Sequence, residues 1–221
     1  MNERAQSLRL HEEADALSLF GMLLSSGIRI SEALCLVGRD TSSKRFREAF
    51  QKIHARLIGT TPLREAMEKC EGCFSFFVPT MVKVGLDTGE LGKVLEWLST
   101  FIVEMANRAK DDFDPASLSV SEKTAVIVDY KILQVYFGSH VGFLRSLKSL
   151  ASLCESKNGQ AWEAVVSQVV DTHRLSEAMA NHPNSFPPYV VAMVATAEIQ
   201  GGFDLVFSKI ADFEERRLFT T

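Results

Sequence analysis

Apolar positions recur along the chain at helical spacing and are broken by short polar or glycine stops. Leu17 to Leu24 reads LSLFGMLL, and Ser25-Ser26-Gly27 interrupts it; Gly27 is placed to take the left-handed conformation that closes a helix. Ile30, Ala33, Leu34 and Val37 carry the next helical stripe, and Phe46, Phe50, Ile53 and Leu57 follow at i, i+4, i+7 and i+11, stopped by Gly59. Thr61-Pro62 predicts the start of a short helix, with Thr61 as N-cap and Pro62 in the first position. Phe74 to Val84 is a largely apolar helix containing Pro79, and Gly89 marks the turn into a longer amphipathic helix. That helix shows Leu91, Val94, Leu95, Leu98, Phe101 and Ile102 on one face. The first 110 residues therefore predict six helices and no strand.

The same programme then restarts. KDDFDPAS, residues 110–117, joins a charge run to an Asp-Pro step that disfavours helix at Asp114, as a linker would. Val126 to Phe137 is apolar, Phe143, Leu144, Leu147 and Leu150 form a stripe, and Trp162, Val165 and Val169 stand 112 residues beyond Phe50, Ile53 and Leu57. Between Leu63 and Phe101, 11 of 39 positions are identical at that shift, among them Glu65, Met67, Phe74, Met81, Gly89 and Phe101. Chance identity between unrelated helices would supply roughly two or three, so the period reports a domain-sized duplication rather than a solenoid. The expected architecture is all-α: two tandem six-helix bundles related by a repeat of about 112 residues, over 1–110 and 119–221, with 111–118 as linker. Gly89 and its counterpart Gly201 are expected to form the tight turn between the last two helices of each bundle, where a Cβ would resist positive φ or crowd the helix crossing.

Several stretches taken together resemble a known family. Phe20, Leu23, Leu24, Ser26, Gly27, Glu32, Ala33 and Leu34 match an early helix pair. Leu63-Arg64-Glu65-Ala66-Met67 and Leu175-Ser176-Glu177-Ala178-Met179 match a following step, and the segments around Phe77–Leu95 and Phe186–Val206 match a third. In this each copy is similar to the cytoplasmic domain of the F-type inner-membrane platform proteins of type II secretion, type IV pilus and archaellum systems. The resemblance covers residues 14–106 and 130–217. It implies a non-catalytic scaffold that docks an assembly ATPase and other platform proteins, with a homodimer among its assemblies. The pattern is not complete: Leu86 stands where the family has a glutamate in copy one, and Ala197 and Gln200 replace a glycine and a small hydroxyl residue in copy two. Relatives of this kind carry membrane helices after each copy, whereas 107–129 is polar here, so membrane contact is expected only through flanking segments absent from this chain, and a cytoplasmic location as given. The alternative reading is a soluble, diverged helical adaptor with a different cytosolic partner.

Composition adds exclusions. The formal net charge is −4, and no Lys/Arg-rich run offsets it, which disfavours nucleic acid as a partner. Cys35, Cys70, Cys73 and Cys154 are too few for a disulfide scaffold and suit a reducing compartment. Cys70-Glu71-Gly72-Cys73 has metal-like spacing, but no second ligand pair completes a zinc set, so it reads as a surface loop between helices. No Glu-x-x-His, GxSxG, P-loop or GxGxxG pattern occurs, and no catalytic residue, metal ligand or cofactor is expected. His54 and His173 read as surface or capping residues. Asp87, Glu90, Glu198 and Asp204 surround the two glycine turns, where negative charge favours helix starts. Together with Trp97, which aligns with Lys209 and so is not required by the core, they are the expected partner contacts. Phe101 and Phe213 are expected in the core.

Overall fold

The computed structural model describes residues 3–108, 122–154 and 158–220. The chain forms two compact units, Met1–Val120 and Ser121–Thr221. The expected linker, 111–118, lies outside the described residues. Among the described residues each unit holds six helices and no strand, and no helix is long and apolar enough to cross a membrane.

In the first unit the helices are α1 (Glu3–Ser25), α2 (Ile30–Asp40), α3 (Lys44–Ile58), α4 (Leu63–Glu68), α5 (Phe77–Thr88) and α6 (Leu91–Arg108). The core is the set of stripes read from the sequence. Ala33, Leu34 and Val37 of α2, Phe46, Phe50 and Ile53 of α3, and Leu91, Val94, Leu95, Leu98, Phe101 and Ile102 of α6 are all buried. Helix α1 is longer than the apolar run predicts. Its first half buries Ser7, Leu10, Glu13 and Ala14, and the Ser7 hydroxyl donates to the Ala106 carbonyl of α6. The α1–α2 stop forms as expected: Gly27 takes φ 84°, and the N–H groups of Gly27 and Ile28 bond back to Leu24 and Leu23.

Two local expectations are corrected. Helix α4 begins at Leu63 with Pro62 in the N-cap position and no side-chain cap, so Thr61 does not cap it. Helix α5 begins at Phe77, not Phe74, which leaves Pro79 in the first turn, where a missing N–H costs little. Helix α3 stops at Gly59 as expected, and the residue after it, Thr60, turns left-handed at φ 70°.

The second unit repeats the order as α7 (Glu122–Gly138), α8 (Phe143–Leu153), α9 (Gly159–Thr172), α10 (Leu175–Ala180), α11 (Pro188–Gln200) and α12 (Phe203–Thr220). The duplication holds down to ring geometry. Phe50 meets Phe74 edge to face at 5.9 Å, and 112 residues on Trp162 meets Phe186 in the same way at 4.6 Å. Phe77 meets Phe101 at 5.7 Å and 69°, and Tyr189 meets Phe213 at 5.4 Å and 69°. This second pair corrects an expectation, because Phe101 is buried but Phe213 is 42% exposed. The change from Phe77 to Tyr189 explains it: the Tyr189 hydroxyl bonds to Glu214, Glu214 pairs with Arg217 at 3.1 Å, and the pair therefore sits at a polar rim. Where Gly27 closes α1, His140 takes φ 59° after α7, and His173 caps α9 at φ 57°.

Candidate functional site: the glycine turns

Each unit ends in a helix pair joined at a glycine. Gly89 caps α5 at φ 76°, ψ 7°, and Gly201 caps α11 at φ 80°, ψ −171°, followed by Gly202 at φ 78°. A Cβ on Gly89 or Gly201 would meet nothing within 4 Å. Backbone conformation, not crowding, therefore requires glycine at both. Crowding acts one turn earlier, where a Cβ on Gly85 would lie 2.7 Å from the Cα of Leu91. That approach lets α5 fold tightly onto the start of α6.

Of the four turn acids, three face outward. Asp87 is exposed and pairs with Lys83 at 2.5 Å, one helical turn back. Glu90 is half-buried and pairs with Lys93 at 2.7 Å. Asp204 is exposed in the first turn of α12. Glu198 is different: it is half-buried and hydrogen-bonded. Its carboxylate accepts from the backbone N–H of Ser176 at 2.9 Å and from the Ser176 hydroxyl, so it ties α11 to the first turn of α10. A carboxylate capping free N–H groups at a helix start is favourable on both hydrogen-bond and dipole grounds. Trp97 is half-buried and stacks on Phe101 with ring centres 5.1 Å apart.

The structure adds apolar groups that the sequence did not single out. Ile199 is 86% exposed and Leu205 56% exposed, on either side of the Gly201-Gly202 turn and next to Asp204. Helix α11 is apolar on every side, yet only Val190, Val194 and Ala197 are buried. The signal was present: Pro183 to Ala197 carries no charge, which is more apolar surface than one contact face needs. The first unit differs at the same place, with Leu86, 38% exposed, beside Asp87.

Buried charges form a second set missed by the sequence reading. Glu13 is fully buried and accepts from the Ser75 N–H at 2.5 Å and hydroxyl at 2.8 Å, with Arg9 at 3.5 Å. Burial pushes its carboxyl up from 4.5 to about 7, against the Ser75 N–H, Arg9, the Ser75 hydroxyl and Arg45. Asp129 accepts from the Cys154 thiol at 3.1 Å and from Trp162 Nε1–H at 3.3 Å, and Lys131 pairs with Asp212 at 2.9 Å. These groups tie helices together within their units. Among the described residues no three His, Cys, Asp or Glu side chains converge as a metal set would.

The profile of the family described as "Type II secretion system (T2SS), protein F" matches residues 16–113 and 131–221. The chain belongs to the type II secretion system protein F family. The two matched segments coincide with the two helical repeats, so each unit is one copy of the family's domain. The chain is also similar to the type IV pilus assembly protein PilC of Thermus thermophilus, with 31% identity over 112 residues. That match takes in 47% of this chain and 26% of the relative, so the matched stretch spans about a quarter of that protein's length.

Proposed function

We propose that this protein is a non-catalytic scaffold of a secretion or pilus platform, and that it docks an assembly ATPase and other platform components at the glycine turns, on the cytoplasmic side of the inner membrane. Membership of the protein F family supports the setting. The observation that carries the docking surface is the exposure of Ile199 and Leu205 beside Asp204 at the α11–α12 turn, an apolar contact with a charged rim. Asp87, Glu90, Leu86 and Trp97 supply a related but less apolar surface at the α5–α6 turn. Glu198, half-buried beside Ile199, contributes to the contact from the side while it holds α10.

The test is direct binding of a purified secretion or pilus assembly ATPase to immobilised chain. Ile199→Asp with Asp204→Lys should weaken binding at least tenfold while the thermal unfolding midpoint stays within a few degrees of the parent. Unchanged affinity in that variant would remove the α11–α12 turn from the contact. No binding by the parent chain to any such ATPase would favour the diverged adaptor.

A further inference from the structure

Helix α4 ends into Cys70-Glu71-Gly72-Cys73, and the structure does not leave this segment as a simple surface loop. The Cys73 N–H donates to the Cys70 carbonyl at 3.0 Å, and Gly72 takes φ 67°, so the four residues form a hydrogen-bonded β-turn. A β-turn holds its end Cα atoms within about 7 Å, and a disulfide needs about 4.4–6.8 Å. The turn thus holds the two Cα atoms close to the range a disulfide spans, while Cys70 Sγ now faces the Ala66 carbonyl at 3.5 Å. Cys70 is 7% exposed and Cys73 half-buried, and both are thiols in the structure. The Arg56 guanidinium lies 3.2 Å from Cys70 Sγ, a contact that favours the thiolate over the thiol. Burial acts the other way on Cys70 and is the larger effect, raising its thiol. The turn is tethered from outside by Arg45, which donates to the Gly72 carbonyl, and by Arg9, which reaches the Cys73 carbonyl at 3.4 Å. In the second unit the same places hold His182 and Ser185, so only the first unit has this pair.

We propose that Cys70 and Cys73 form a reversible thiol–disulfide pair, a modification site that exchanges with low-molecular-weight disulfides such as oxidised glutathione. Cys73, the more exposed thiol, attacks one sulfur of glutathione disulfide as its thiolate and releases one glutathione thiolate. Cys70 then attacks the Cys73 sulfur of the mixed disulfide, forming the 70–73 bond and releasing the second glutathione. Two electrons pass from the cysteine pair to the oxidant, and the two protons lost by the cysteines end on the two glutathione thiols. The product covalently closes the turn that leads from α4 towards α5.

The experiment equilibrates the full chain in buffers of varied oxidised-to-reduced glutathione ratio, then traps free thiols by alkylation and maps peptides by mass. The expected result is an intramolecular 70–73 disulfide, two mass units below the dithiol, that appears at a lower oxidised fraction than glutathionylation of the exposed Cys35. Arg56→Gln should slow ring closure several-fold while leaving Cys35 labelling unchanged. Cys70 and Cys73 remaining alkylated at ratios that already modify Cys35 would overturn the proposal. A Cys73–glutathione adduct that never resolves to the ring would overturn it equally.

Discussion

Glu13 shows how one side chain can make the whole unit sensitive to pH. Its carboxyl is fully buried, and desolvation lifts it from 4.5 to about 7 in the folded chain. An acid raised on folding binds its proton more tightly in the folded state, so its contribution to stability is complete below about pH 4.5, falls as pH rises, and levels off above about 7. The full swing is roughly 3 kcal/mol. Urea unfolding of the parent and of Glu13→Gln should therefore diverge with pH, the parent losing ground to the glutamine variant by up to that amount between pH 5 and 8. A difference between the two that does not change with pH would mean the carboxylate is ionised throughout. The residue was visible in the sequence only as one charge in a charged N-terminus. It nevertheless stands three residues after Leu10 and four before Leu17, on the buried stripe of α1. Buried charges of this sort escape a reading that takes charge as the mark of solvent. Asp129 and Lys131, set within the apolar run of α7, escape it for the same reason.

At the scale of helices and turns, the sequence was most legible where periodicity and glycine coincide. The α6 stripe and the two turn glycines follow directly from spacing, because a long amphipathic helix with a clean stop has few alternative readings. The start of α1 did not, since its buried face mixes Ser7 and Glu13 with Leu10 and Ala14 and so shows no apolar contrast. Phe213 failed for another reason: identity with Phe101 reports ancestry, whereas burial depends on neighbours, and Tyr189 brings a polar rim that Phe77 does not. The two turn glycines also differ in what they demand. Gly89 lies in the ordinary left-handed helical region, which asparagine tolerates, while the φ 80°, ψ −171° of Gly201 is open to glycine almost alone. Thermal unfolding should show Gly89→Asn costing under about 1 kcal/mol and Gly201→Asn costing about 2–3 kcal/mol. Equal costs would mean the second turn relaxes. Within the second unit, Trp162 fills the place of Phe50, meets Phe186 and donates to Asp129. Trp162→Ala should cost about 3–5 kcal/mol by chemical denaturation; a cost below about 1 kcal/mol would show that this core is far looser than its burial indicates.

Across the whole chain, two copies of one domain have kept their cores and lost their likeness at the surface. The first unit presents Asp87 and Leu86 at its turn, each with salt-bridged neighbours close by. The second presents Ile199 and Leu205 beside the exposed Asp204, and ties its other acid, Glu198, to α10. Duplication followed by surface divergence suits a scaffold that must offer different contacts from similar frames. Family and fold were legible because they are spread over many positions. The proposed contact face was not, because exposure is decided by packing that periodicity alone does not report.

The most direct test of this account is hydrogen–deuterium exchange of the full chain, alone and with a purified secretion or pilus assembly ATPase. The account predicts protection concentrated on peptides spanning the α11–α12 turn, with weaker protection at the α5–α6 turn and no change in α9. Protection confined to other helices, or none at saturating ATPase, would contradict it.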